Sequence, residues 1–281
     1  MTIQKILVPT DFSTYANYAS GVAVQIAKAT NATLEFHHQT HILGAWSHLE
    51  ENARLYYQNN FVREEEAIIK LENLAANKTF KDVKITTSYS HGNLVAKIMD
   101  KVEEEAIDLI VMGTQGKTAN ELMLGSNTLK VLRLVDCPVL TIKKRPKDFK
   151  IEQILFASNF KKEAYPVLQK LLDLTATWNA TVHLINIDVN HRFEETPELF
   201  KKSIKSFIKL CGSRLGEVHS ILDENIARGI NKITEDLNID LVAIGTHLRE
   251  YQGYMYSSFI TETIVQTVEV PILTLQIPPT E

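Results

Sequence analysis

The spacing of apolar positions changes period repeatedly along the first half of the chain. A short β-branched run at 5–9 is followed by Ala16, Ala19, Ala23, Ile26 and Ala27 at helical spacing, which predicts a strand and then a helix. The same switching predicts strands at 33–38, 83–88, 108–112 and 139–143, with helices inside 49–77, at 93–105 and at 126–135. Strands that alternate with helices imply an α/β fold with a parallel sheet covered on both faces. Right-handed crossovers then give a doubly wound, Rossmann-like sheet in the order 3-2-1-4-5. Its switch point lies between strands 1 and 4, so a ligand is expected at the loops after Pro9 and Met112.

The pattern then repeats. Ile107-Asp-Leu-Ile-Val-Met-Gly-Thr114 returns as Ile239-Asp-Leu-Val-Ala-Ile-Gly-Thr246, with five of eight positions identical and the rest apolar in both. Pro138-Val-Leu-Thr-Ile142 returns as Pro271-Ile-Leu-Thr-Leu275, and Asn31-Ala32-Thr33 as Asn179-Ala180-Thr181. Ile6-Leu7 followed by Phe12 likewise matches Ile154-Leu155 followed by Phe160. The charged, proline-bearing stretch Lys143-Lys144-Arg145-Pro146-Lys147 separates the copies, so we divide the chain into domains 1–145 and 150–281, each a five-stranded sheet. In each copy strand 5 (Val139 to Lys143, Ile272 to Gln276) is predicted at a sheet edge, and pairing the two edges would satisfy both.

Composition narrows the function classes. With 30 Lys and Arg against 34 Asp and Glu, the net charge of -4 offers no basic stripe for nucleic acid. No apolar run reaches the roughly 18 residues of a membrane helix, and the chain begins almost at once with a strand, so a cytoplasmic protein is expected. The two cysteines, Cys137 and Cys211, lack zinc-ligand neighbours and read as reduced thiols.

Candidate chemistry gathers at the two switch-point loops. After strand 4 comes Met112-Gly113-Thr114-Gln115-Gly116-Lys117, and later Leu124-Gly125-Ser126-Asn127-Thr128 opens a helix. Glycines permit close backbone approach, and a helix N-terminus favours a phosphate. Ser126 or Thr128 would add a hydroxyl donor and Lys117 a counter-charge. The plain alternative is that Gly113 ends a strand and Gly125 starts a helix. On the facing loop, Pro9-Thr10-Asp11-Phe12-Ser13 offers Asp11 to a ribose hydroxyl or base amine, unless Asp11 or Ser13 simply caps the next helix.

Together these residues resemble the universal stress protein family, over both copies nearly end to end. The family pattern is Gly, two residues, Gly, nine residues, then Gly-Ser or Gly-Thr, after a strand-1 end bearing Pro and Asp. Gly113, Gly116, Gly125 and Ser126 fall on its fixed positions, but only eight residues, Lys117 to Leu124, separate the last two glycines. The resemblance implies binding of ATP or AMP, with or without Mg, in the N-terminal domain only. Pro9, Thr10 and Asp11 would face the nucleoside, His38 would line the adenine pocket, and Met112 to Lys117 with Gly125 to Thr128 would meet the phosphates. In the second copy Leu248, Ser258 and Phe259 replace two glycines and the serine, and Asn159 replaces Asp11, so no ATP is expected there. By resemblance, the second copy serves as a built-in dimer partner, and whole chains could form a homodimer.

Other features carry less. His37 and His38 alternate across a strand and cannot share one metal ion with His41 without distortion, so solvated strand-end histidines are the default reading. Glu64-Glu65-Glu66 and Glu103-Glu104-Glu105 read as solvated helix faces. Tyr251, Tyr254, Met255, Tyr256 and Phe259 read as core filling a vacated pocket, or else as a contact surface. The expectation is a stress protein that responds to adenine nucleotide without dedicated catalysis beyond slow, incidental ATP hydrolysis. The rivals are an interaction scaffold that binds no nucleotide, and a nucleotide-dependent enzyme, whose Ser-Gly-Gly-x-Asp-Ser or His-x-Gly-His signatures are missing.

Overall fold

The structure, a computed structural model, describes residues 2–40, 64–116, 124–145, 149–188, 197–247 and 255–278. The first copy runs β1 (Lys5–Pro9), α1 (Thr14–Thr30), β2 (Thr33–Thr40), α2 (described over 64–75), β3 (Ile85–His91), α3 (Leu94–Glu105), β4 (Leu109–Gly113), α4 (Ser126–Leu134) and β5 (Val139–Ile142). The second runs β6 (Gln153–Ala157), α5 (Tyr165–Leu174), β7 (Thr181–Asp188), α6 (Pro197–Cys211), β8 (Leu215–Leu222), α7 (Ile226–Asp236), β9 (Leu241–Thr246), α8 (Met255–Thr267) and β10 (Ile272–Gln276).

Both copies have the expected strand order, and β5 and β10 join them into one sheet ordered β3-β2-β1-β4-β5-β10-β9-β6-β7-β8. Pairs within each copy are parallel, whereas β5 and β10 run antiparallel with Leu140 opposite Leu273. Two threonines at matching places in the repeat reinforce this seam reciprocally. Thr141 Oγ1 donates to Ile272 O at 3.3 Å, and Thr274 Oγ1 donates to Val139 O at 3.2 Å. Ion pairs Arg133–Glu262 and Lys143–Glu269 span the same joint.

The repeated residues are those the backbone cannot do without. Asn31 and Asn179 take the left-handed conformation, with φ of 59° and 49°, turning the chain from helix into strand. Asp108 Oδ2 accepts from the N–H groups of Gln4 and Lys5, and Asp240 Oδ2 accepts from those of Glu152 and Gln153. Each aspartate thus ties the entry of β4 or β9 to the start of β1 or β6. The apolar residues form one layer on each sheet face, and both layers run through the two domains. On one face α1 approaches closely because its buried side is mostly small, with Ala16, Ala19, Ser20, Ala23 and Ala27.

Candidate functional site

In the first domain β1 lies between β2 and β4, so the chain leaves it in one direction and returns on the other side, opening a crevice beyond the strand ends. One wall is a tight turn. Thr10 Oγ1 accepts from Phe12 N at 3.0 Å, Asp11 Oδ1 accepts from Ser13 N at 2.9 Å, and Phe12 sits at φ 60°. Ser13 Oγ then caps α1 by accepting from Ala16 N. The structural reading of this loop holds: Ser13 is the cap, and one Asp11 oxygen holds the turn. Pro9 and Thr10 are buried behind it.

The second wall is the glycine loop, and the first wall presses on it. A Cβ at Gly116 would stand 2.9 Å from Asp11 Oδ2, and one at Gly113 would stand 2.7 Å from the Tyr15 carbonyl carbon. Gly125 N donates to Thr114 O at 2.8 Å, and a Cβ there would reach the same oxygen at 3.3 Å. The three glycines thus let β4, α1 and the start of α4 close on one point. Gly125 is the N-cap of α4 and supplies no side-chain cap, unlike Ser13 on α1 and Asn93 on α3. The N–H groups of Ser126, Asn127 and Thr128 have no carbonyl four residues back within the helix, and they carry the positive end of its dipole.

The structure corrects two of the expected contributors. Thr128 is buried and its Oγ1 donates to Gly113 O at 3.0 Å, so its hydroxyl ties the loop together and is not offered outward. The Met112 side chain packs into the apolar core with Ile110 and Val131, leaving only backbone near the crevice. Ser126 and Asn127 remain exposed at the helix start, and Thr114 Oγ1 is buried with no hydrogen-bond partner among the described residues. Lys117, and the stretch where the spacing is one residue short, lie outside the described residues.

His37 and His38 face opposite sides, as strand alternation requires. His38 joins the crevice: its Nδ1 lies 2.6 Å from Thr10 O, which can only accept, so Nδ1 carries the proton. Its ring packs 4.7 Å from that of Phe12. His37 is not a solvated strand-end histidine but is 1% exposed, inside a polar chain absent from the sequence reading. Lys101 Nζ donates to Glu35 Oε1 at 2.6 Å, Ser88 Oγ donates to the same oxygen at 2.5 Å, and His37 Nδ1 lies 2.7 Å from Ser88 Oγ. Since the Ser88 proton goes to Glu35, His37 Nδ1 donates to Ser88, while Nε2 lies 3.1 Å from Ser90 Oγ, whose own proton goes to Gln39 Oε1. Burial pushes the His37 pKa down to about 4 and keeps the ring neutral.

Glu105 also departs from expectation. It pairs with Lys101 and Lys5, which hold its carboxyl down to about 2. No group of three or more metal-ligating side chains occurs among the described residues; His41 lies outside them. Burial pushes the Cys137 thiol up to about 12 and that of Cys211 to about 11, so neither supplies a thiolate nucleophile at neutral pH.

The second domain repeats the turn without its charge. Ser158 Oγ accepts from Phe160 N at 3.0 Å, Asn159 Oδ1 accepts from Lys161 N at 3.1 Å, and Phe160 sits at φ 55°. Asn186 takes the place of His38 and donates from Nδ2 to Ser158 O. Beyond the turn the two copies part. A 3-10 turn, Lys162–Ala164, delays the start of α5, and a Cβ on Gly245 would meet the Ile277 side chain at 3.0 Å instead of helix backbone. The aromatic residues expected to fill this site lie outside the described residues, or have side chains that do. Beside the turn is a cavity of about 430 Å³, which the sequence did not foretell.

A family model described as the universal stress protein family matches residues 2–143 and again 150–276. The chain belongs to that family. A universal stress protein of Methanocaldococcus jannaschii is 32% identical over 156 residues, covering 52% of this chain and 85% of that protein. One from Bacillus subtilis is 30% identical over 149 residues, covering 50% of this chain and 98% of that protein. A solved universal stress protein from Archaeoglobus fulgidus aligns over 98% of both chains with a TM-score of 0.75 at 17% identity, which shows a shared two-copy fold. Among the described residues of this family member no helix is long and apolar enough to cross a membrane.

Proposed function

We propose that the N-terminal domain binds an adenine nucleotide, ATP or AMP with or without Mg, and that the chain is a cytoplasmic, nucleotide-responsive stress protein without dedicated catalysis. The observation that carries this reading is the start of α4, which has no side-chain cap and stands at the switch point where three glycines let the surrounding backbone close in. The groups present fit such a ligand. The N–H groups of the first α4 turn and the Ser126 hydroxyl suit phosphate oxygens. Asp11 suits a ribose hydroxyl, and the His38 ring, fixed by Thr10, suits the edge of the base. In this reading the second domain binds no ATP and acts as the attached partner for the first, at high effective concentration, and whole chains could pair again as a homodimer.

The second reading is an interaction scaffold that binds no nucleotide; it is favoured by the eight-residue spacing between Gly116 and Gly125. Calorimetric titration with ATP, AMP and cyclic AMP separates the two, using the wild type and Gly116→Leu. Binding of one nucleotide per chain, lost in Gly116→Leu, is the expected result. No heat at millimolar nucleotide leaves the scaffold in front, and turnover near 1 per second or faster sinks the non-catalytic reading.

A further inference from the structure

The cavity beside the Ser158–Phe160 turn has largely aliphatic walls. Ile185 and Ile187 of β7, Ile226 of α7, Ile244 of β9, Ile264 of α8 and Ile277 line it. In the first domain the strand positions matching Ile185 and Ile187 are His37 and Gln39, members of the polar chain, so this face has changed from polar to aliphatic. Its volume of about 430 Å³ falls within the roughly 300–1,000 Å³ typical of small-molecule pockets.

The polar lining includes Asn159, Lys161, Glu163 and His247. Asn159 uses Oδ1 in the turn, which leaves its Nδ2 hydrogens to donate. Lys161 and Glu163 bring one charge of each sign, and His247 is held toward its neutral form by burial against the opposing pull of Glu163. The mouth therefore offers hydrogen bonds with no net charge. It also lacks the carboxylate that Asp11 supplies in the first domain.

We propose that this cavity is a second ligand site, distinct from the nucleotide crevice, which takes an uncharged aliphatic amphiphile: a chain of about eight carbons among the isoleucines and a hydroxyl-type head at Asn159. Since each buried methylene contributes about 0.8 kcal/mol, lengthening the chain by two carbons should tighten binding roughly tenfold. An ionised head leaves a charge at a mouth with no surplus of the opposite sign, and should bind at least tenfold more weakly.

The test is an NMR titration of the full chain labelled at the isoleucine δ1 methyls, using 1-hexanol, 1-octanol and octanoate. The expected result is saturable shifts for Ile185, Ile244 and Ile264 with still signals from Ile6, Ile26 and Ile98, a tenfold gain from hexanol to octanol, and weak binding of octanoate. Ala157→Leu, which adds carbon to the cavity wall, should abolish the shifts, and ATP titration of the same variant reports on the first domain separately. If Ala157→Leu fails to fold, the wild-type methyl map decides alone. Shifts that do not saturate or that spread to Ile6, Ile26 and Ile98 overturn the site, with the cavity then closed by its own chain. Octanoate binding as tightly as octanol overturns the uncharged head.

Discussion

The two switch points begin with the same turn and diverge immediately after it. Thr10-Asp11-Phe12 and Ser158-Asn159-Phe160 share the hydroxyl acceptor, the side-chain oxygen acceptor and the left-handed phenylalanine. That turn is folding machinery, since an amide oxygen serves it as well as a carboxylate. What separates the domains is what the turn meets. In the first it meets glycine backbone and a bare helix start, with a buried ionic chain on the neighbouring strands; in the second it meets isoleucines. A retained backbone motif is therefore poor evidence of retained chemistry.

The sharpest way to break this comparison is at the paired glycines. Gly113→Ala drives a Cβ against the α1 backbone, which cannot yield locally, and should cost about 3 kcal/mol. Gly245→Ala presses on side-chain atoms alone, Ile277 Cγ1 and Cδ1 at 3.0 and 3.1 Å, and should cost less than about 1 kcal/mol. Urea denaturation of both variants checks the contrast; equal losses would mean that the two glycines do the same job.

The next effect concerns pH. Unfolded His37 titrates near 6.5, but folded His37 only at about 4, so below 6.5 the unfolded chain binds more protons. The stability from neutral, buried His37 is complete above pH 6.5 and declines as pH falls toward 4, by roughly 3 kcal/mol in all. The Glu105 contribution fades separately, between about 4.5 and about 2. Denaturation curves across pH 7 to 4 should show the first slope, and His37→Gln should flatten it. The matching position in the second domain, Ile185, cannot titrate.

The smallest effect should come from making the first turn resemble the second. Asp11→Asn keeps the Oδ1 acceptor, so stability should stay within about 0.5 kcal/mol. Nucleotide affinity should fall about tenfold, or about 1.4 kcal/mol, because the acceptor for the ribose loses its charge. Unchanged affinity by calorimetry would remove Asp11 from the site and leave it a turn residue.

The sequence announced whatever the backbone repeats. Asn31 and Asn179 mark left-handed turns, Asp108 and Asp240 clamp strand entries, and the proline-led strands carry the seam, so sheet order and the first copy's strand bounds followed to within about three residues. It hid what depends on partners distant in the chain. His37 is buried because Ser88 and Glu35 complete its hydrogen bonds, and Glu105 is bound because Lys5 returns to it across 100 residues. Neither follows from the local pattern. Thr128 looked like a phosphate donor because only the fold shows Gly113 O within its reach. The aliphatic cavity escaped notice because its isoleucines are scattered over four elements and the residue after β10, each ordinary by itself.

The antiparallel seam has one more consequence. Because β10 runs against β5, every strand of the second domain points opposite to those of the first, and the two crevices open at opposite ends of one continuous sheet. Two identical subunits joined this way would be bound by symmetry, so that any change in one pocket appeared in both. Fusion into one chain lifts that constraint. The reciprocal threonines keep a two-fold relation between the copies at the seam, while the residues around each turn differ.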